Sequence, residues 1–151
     1  MIQGVKLKPI KLWPDDRGWL AEIAKQGDDI FVSIKQTNLT MTYPGVIKAF
    51  HWHRKQTDMW FVAQGAVQVV LYDLRANSLT FKKTDVYYLG EDNRQMLLIP
   101  PGVAHGYRVL GIKPALLFYH TDQVYDAANP DEERIDYNDP RIGFDWTTKF
   151  R

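Results

Sequence analysis

An all-β domain, closed as a sandwich or a barrel, is the fold class this sequence predicts. Aromatic and β-branched residues come in short runs, and eight prolines and ten glycines punctuate the 151 residues. In Ala66-Val67-Gln68-Val69-Val70-Leu71-Tyr72 the odd positions are all aliphatic while Gln68 and Tyr72 share the other parity, which is the alternation of a strand that faces two environments. One of those environments is a candidate polar barrel interior. Strands this numerous must hide their edges, and closure does so.

The elements follow from the turn chemistry between them. Residues 5–12 and 19–24 read as strands joined by Pro14-Asp15-Asp16-Arg17-Gly18, a turn sequence in which aspartate and glycine accept the required dihedrals. A third strand spans 31–38, and Tyr43-Pro44-Gly45 separates it from the next over 46–53. Strands at 59–64 and 66–72 meet at Gln64-Gly65, and Arg75-Ala76-Asn77-Ser78 precedes a strand over 80–88. Further strands span 95–99, 105–109 and 115–121, the first two parted by Pro100-Pro101-Gly102. Beyond Thr121 the character changes: residues 122–140 carry seven Asp or Glu, with prolines at 130 and 140, and read as an irregular tail with one helical turn folded over the barrel.

One domain, 1–151, is the expectation at this length. The 19 basic and 18 acidic residues balance and no run of either sign marks a nucleic-acid or lipid surface, so neither partner is expected and an anionic ligand must be held by local residues. No cysteine is present, which excludes disulfides and thiolate metal sites. The N-terminus lacks the succession of a signal peptide and no apolar stretch approaches a membrane span, so a cytoplasmic location is the default.

Three of the four histidines carry the chemistry. If residues 46–53 form a strand, its period of two puts His51 and His53 on one face. Asp58 follows, and His105 ends Pro100-Pro101-Gly102-Val103-Ala104-His105. Three imidazoles and a carboxylate converging in a barrel can bind a divalent metal, or can act as acid, base and hydrogen-bond partners without one. Satisfied polar residues at a barrel mouth are the third reading, which the joint occurrence of His51, His53 and His105 on two barrel motifs disfavours.

The spacing Gly45, His51, His53, Asp58, Gly65 resembles the first motif of the cupin barrels with Asp in the glutamate position, and Pro100 to His105 resembles the end of their second. Within that fold the chain is similar to the dTDP-4-dehydrorhamnose 3,5-epimerase family. The phrases that carry the likeness occur in order: Asp16-Arg17-Gly18-Trp19-Leu20-Ala21-Glu22, Gln36-Thr37-Asn38, Gly45 to His51, Gln56-Thr57-Asp58, Asp73-Leu74-Arg75, Ala104-His105-Gly106-Tyr107, Tyr119, and Asn138-Asp139-Pro140 before Ile142-Gly143-Phe144-Asp145-Trp146.

The resemblance implies a double-stranded β-helix that forms a homodimer, takes a dTDP-linked 4-keto-6-deoxy sugar in polysaccharide biosynthesis, and needs no cofactor and no metal. By residue matching, His51 is the base that removes a proton beside the ketone and Tyr119 the acid that returns one to the opposite face. Arg17, Glu22, Gln36, Asn38, Lys48 and His105 match substrate contacts, and Tyr125 matches the aromatic that stacks on the nucleotide base. His53 and Asp58 are expected to shape the surroundings of the oxyanion. A hydrogen beside a ketone is acidified by enolate resonance, so inversion needs a base, an acid and donors around the developing charge. Arg17, Lys48 and Arg75 are the candidates for a diphosphate. Strict alternation puts Lys48 opposite His51, so its role requires a bulge between them.

Three departures from the family pattern stand out. Asp58 occupies the place of a lysine, and Lys48 that of an arginine, which gives up bidentate phosphate contact. The family's C-terminal aspartate, which orients the histidine, has no match after Trp146, where Thr147, Thr148, Lys149, Phe150 and Arg151 follow; Asp58 or another barrel carboxylate is expected to hold the imidazole instead. His51-x-His53 is also similar to sugar 3,4-ketoisomerases of the same barrel, which move a carbonyl instead of inverting a carbon. A metal-dependent cupin using His51, His53, Asp58 and His105 is the remaining alternative.

Overall fold

The computed structural model describes residues 1–148; Lys149, Phe150 and Arg151, part of the expectation about the C-terminus, lie outside the described residues. The strands are β1 Lys6–Pro9, β2 Leu12–Asp15, β3 Gly18–Ala21, β4 Gln36–Thr42, β5 Ile47–Trp52, β6 Asp58–Gln64, β7 Ala66–Asp73, β8 Thr84–Gly90, β9 Gln95–Ile99, β10 Val103–Leu110, β11 Ala115–Thr121 and β12 Glu133–Arg134, with no helix among the described residues. They form two five-stranded antiparallel sheets, ordered β1-β9-β6-β11-β4 and β12-β5-β10-β7-β8, and a separate β2-β3 hairpin. Successive strands pass back and forth between the two sheets, which makes the barrel the double-stranded β-helix that the sequence resembled.

Strands β9 and β11 span the expected residues, and β6 and β7 each add one. Residues 5–12 divide in two, because Pro9, with no N–H to continue a ladder, is the last residue of β1 paired to β9, and Leu12 begins the hairpin. Residues 31–35 are not strand: Ile30, Val32 and Ile34 pack with Ile10 over Met59, Phe61, Met96 and Leu98 on the outer face of the first sheet, so burial there needs no ladder. The strand expected from 80 begins at Thr84, since Ser78 and Thr80 turn back to donate to the Asp73 carboxylate at 2.6 and 2.7 Å and Lys82 adopts φ 64°. The helical turn expected in the tail is instead β12, which pairs Glu133 with Trp52 and Arg134 with His51. A strand edge with free N–H and C=O groups recruits two extended residues more readily than a short helix forms alone.

Between the sheets lies an apolar core in which Val67, Val69 and Leu71 meet Trp60, Leu97 and Leu117, so that face of β7 is apolar and not the candidate polar interior. The even positions Val70 and Tyr72 are buried under the tail residues Ile142, Phe144 and Trp146. Both faces of β7 are therefore covered, and the tail lies over the barrel as expected. Polar residues line the interior at one end, between β4, β5, β6 and β11.

Candidate active site

His51 on β5 pairs across to His105 on β10, but two residues further along β10 Tyr107 stands opposite Lys48. Three steps on β5 against two on β10 are a bulge at Ala49 and Phe50. Both of those residues face outward, with Phe50 against Trp146 at 5.5 Å between ring centroids. Lys48 and His51 consequently both reach the interior, as the proposed roles required. Gly106 permits this approach: a Cβ there would stand 2.3 Å from the Ala49 Cβ and 2.8 Å from the Lys48 carbonyl oxygen.

The four residues singled out by spacing meet. One donor atom from each of His51, His53, Asp58 and His105 lies within 4.8 Å of every other. His51 Nε2 is 2.9 Å from His105 Nε2, and Asp58 Oδ2 is 3.2 Å from His105 Nε2 and 3.9 Å from His53 Nε2. Asp58 also accepts from Gln56 Nε2 at 2.7 Å and Trp60 Nε1 at 3.2 Å. Burial pushes its carboxyl up, yet the hydrogen bond and charge of His105, with His53 and Gln56, hold it down to about 2. Burial pushes the His51 imidazole down, and His105 adds to this more than Asp58 opposes it, so the group falls to about 2 and is neutral near pH 7.

Above the cluster opens a cavity of about 1180 Å³, lined by both sheets and the tail. Gln36, Asn38, Lys48, His51, His53, Asp58, Tyr119 and Tyr125 all line it, with His105 buried behind His51. On the sheet opposite His51, β11 pairs Tyr119 with Asn38 on one side and Trp60 on the other. Burial pushes the Tyr119 hydroxyl up, and the Asp58 and Glu132 carboxylates push the same way, so it keeps its proton. Gln36 donates to Asn38 at 2.9 Å and accepts from the Tyr125 backbone N–H at 2.9 Å, while Lys48 donates to Thr40 at 3.0 Å. Tyr125 is exposed at the rim.

Three expected contacts are not brought there. Arg17 sits at the tip of the β2-β3 hairpin, exposed and paired with Asp15 two residues back, and does not line this chain's cavity. Glu22, just past β3, is exposed and does not line the cavity. Arg75 is bound to the buried Asp73 carboxylate at 2.8 Å and to the Gln3 carbonyl, which spends its guanidinium on a structural turn and removes it as a diphosphate ligand.

Sequence reasoning missed Gln56, Trp60, Tyr107, Asp131 and Arg134, all of which line the cavity. Asp131 is the most consequential. Its carboxylate accepts the backbone N–H groups of Arg54, Lys55 and Gln56 at 3.1, 2.9 and 3.0 Å, and its carbonyl accepts from His53 Nδ1. The acidic tail held the only signal for it, and an acidic run does not say which carboxylate turns inward.

On the outer side of β11, His120 is buried, with Nδ1 2.9 Å from the Thr37 hydroxyl and Nε2 without a partner. Burial pushes this imidazole down from its ordinary 6.5. Below pH 6.5 the unfolded chain therefore binds a proton that the folded chain refuses, and stability falls as the pH drops through that window. The urea midpoint is expected to fall between pH 7 and pH 5, and His120→Leu to flatten that slope; an unchanged slope would show that His120 stays accessible to protons.

A polar cavity at one end of a double-stranded β-helix, with a neutral imidazole on one sheet and a protonated phenol on the other, offers a base and an acid across one space, which is what the chemistry of racemases and epimerases needs. The family model of dTDP-4-dehydrorhamnose 3,5-epimerase matches residues 1–151, and the chain belongs to that family. It is 52% identical over 151 residues, all of both chains, to the spore coat polysaccharide biosynthesis protein SpsL of Bacillus subtilis strain 168. A dTDP sugar isomerase from Desulfovibrio desulfuricans G20 superposes with a TM-score of 0.90 at 29% identity, covering 96% of this chain and 92% of that one. The Legionella pneumophila dTDP-6-deoxy-D-glucose-3,5-epimerase, solved in complex with dTDP-4-keto-L-rhamnose, superposes with a TM-score of 0.82 at 28% identity, covering 94% and 78%. The family's enzymes are isomerases, and this chain is one of them by fold and descent.

Proposed function

We propose that the protein inverts carbon next to the ketone of a dTDP-linked 4-keto-6-deoxy sugar, in the making of a surface polysaccharide. The observation that carries this reading is the placement of His51 and Tyr119 on opposing sheets across one cavity that is large enough for a nucleotide sugar. His51, neutral and hydrogen-bonded to His105, takes the proton from the carbon beside the ketone. The resulting enolate is planar, so Tyr119 can return a proton from the other face, and the configuration inverts. Asn38, the Tyr107 hydroxyl and Lys48 supply donors and positive charge around the ring and its oxyanion. Lys48 and Arg134 face the cavity where Arg17 and Arg75 do not, and are the cations for the diphosphate. Tyr125 at the rim offers a ring face to the base. The ligand seen in the Legionella relative and the spore coat polysaccharide biosynthesis role of SpsL support the substrate and the pathway.

Incubation with dTDP-4-keto-6-deoxyglucose in deuterated water tests the proposal. Deuterium is expected at a carbon flanking the ketone, with inversion there. Its absence from both carbons overturns the reading, and migration of the carbonyl would move the enzyme to the ketoisomerases. We further propose a cytoplasmic homodimer: Leu39 and Met41 lie exposed on the edge strand β4, and Trp13, Trp19 and Leu20 on the β2-β3 hairpin. No helix among the described residues is long and apolar enough to cross a membrane. A light-scattering mass of one chain would refute the dimer.

A further inference from the structure

The hydrogen bonds around the histidines fix which ring nitrogen carries each proton. His105 Nδ1 lies 2.9 Å from the Val103 carbonyl oxygen, and His53 Nδ1 faces the Asp131 carbonyl oxygen. A carbonyl only accepts, so both Nδ1 atoms carry hydrogen. Neutral His105 then has its lone pair at Nε2, and the atom 2.9 Å away is His51 Nε2. A hydrogen bond between the two needs one hydrogen, and only His51 can supply it. His51 is therefore the Nε2–H tautomer, with its lone pair on Nδ1. No hydrogen bond engages that Nδ1 among the described residues and the atom is not enclosed, so it is the ring nitrogen that the cavity reaches.

The same distances serve a second arrangement of protons. Once His51 Nδ1 gains a proton, its Nε2–H can pass to His105 Nε2 with no heavy atom moving. His105 then carries hydrogen on both nitrogens, and Asp58 Oδ2 stands 3.2 Å from its Nε2, placed to accept. Gln56 Nε2 donates to Asp58 Oδ1 at 2.7 Å and Trp60 Nε1 to Oδ2 at 3.2 Å, which leaves Oδ2 a second lone pair for His105. The other amide hydrogen of Gln56 meets the lone pair of His53 Nε2 at 3.2 Å, so His53 holds Gln56 and, through it, the carboxylate. Asp58, His105 and His53 are 1%, 2% and 6% exposed, and a charge gained there meets its opposite away from water.

We propose that His105 is the positioning residue of the base, holding His51 with Nδ1 toward the substrate and receiving the proton of its Nε2 during abstraction. The inference rests on the proton-transfer reading above. The C–H bond beside the ketone breaks, its electron pair enters the enolate, and its proton bonds to His51 Nδ1. The Nε2–H bond of His51 breaks as one forms to His105 Nε2, so the positive charge leaves the cavity wall and pairs with the Asp58 carboxylate. Tyr119 gives its own proton to the opposite face. Exchange with water in the cavity then returns a proton to Tyr119 and removes the extra one from the histidines. The carboxylate expected to hold His51 directly stands one imidazole further in, where its charge stabilises the abstracted proton.

Long-range proton–nitrogen NMR spectra of the wild type, labelled at its histidine nitrogens and assigned with single histidine variants, read the tautomers at neutral pH. His51 is expected to carry hydrogen on Nε2, and His53 and His105 on Nδ1. Hydrogen on His51 Nδ1, or on both nitrogens of His105 in the resting protein, overturns the proposal. His105→Gln keeps an amide oxygen to accept from His51 but offers no site for the proton, and is expected to lower kcat about 100-fold with KM within about 2-fold. Wild-type kcat in that variant overturns the proton path. Asp58→Asn removes the charge and is expected to lower kcat by about 10- to 100-fold. The urea midpoint of each variant separates lost chemistry from lost fold, and the wild-type spectra decide the tautomers whether or not the variants fold. Deuterium uptake by the wild type reports on the parent reading: uptake with the opposite His51 tautomer removes only this inference, whereas the expected tautomers without uptake remove the epimerase reading and the path with it.

Discussion

His51→Asn is expected to lower kcat for epimerisation by about 10³-fold while KM changes little, because general-base catalysis contributes about 10²–10⁴-fold and asparagine still fills the space without accepting a proton. Solvent deuterium should cease to enter either carbon beside the ketone, since no enolate forms. Tyr119→Phe should behave differently: the proton is still removed, and only its return from the opposite face is slowed. A His51→Asn enzyme that exchanges deuterium at the wild-type rate would assign the base elsewhere in the cavity. The structure makes the substitution a clean one. His51 is only half-buried and its side-chain hydrogen bond is to His105, and an unchanged urea midpoint is expected to separate lost chemistry from lost fold.

Gly106→Ala is expected to be the most destructive single-atom addition near the site. A methyl group at 106 would meet the Ala49 Cβ at 2.3 Å, its Cα at 2.6 Å and the Lys48 carbonyl oxygen at 2.8 Å, all in the neighbouring strand and two of them backbone atoms. Strand β5 must move away from β10, which opens the bulge that aims Lys48 and His51 into the cavity. A loss of about 3 kcal/mol is expected, in the upper part of the range for forced overpacking, and is readable as a fall in the urea midpoint. Activity should fall further than unfolding alone explains, because the folded fraction holds His51 displaced. A midpoint within experimental error of the wild type would mean that β5 yields without consequence.

The histidine cluster was legible because it obeys local rules. A two-residue period puts His51 and His53 on one face, and a turn ending in His105 delivers the third imidazole from across the sheet. The bulge at Ala49 and Phe50 was legible in part, as a requirement: Lys48 could act only if alternation broke. Arg75 was read wrongly for a reason that sequence does not display. It lies two residues from Asp73, and a buried carboxylate claims the nearest guanidinium before any ligand does. Residues 31–35 failed likewise, since apolar residues packed on the outside of a sheet have the same composition as residues within one. Asp131 was invisible because its partners are backbone N–H groups, and those carry no mark in the sequence.

Asp122 accepts the Thr57 N–H at 2.8 Å, so it and Asp131 together engage four successive N–H groups, those of residues 54 to 57. The loop between these two carboxylates is a handle soldered at both ends to the same short turn, the one that leads into Asp58. Its length and side chains can change without tugging on the imidazoles below. The stretch that carries Tyr125 at the rim and the stretch that carries the imidazoles are thus anchored separately, and residues 123–130 can be exchanged without rebuilding the turn into Asp58.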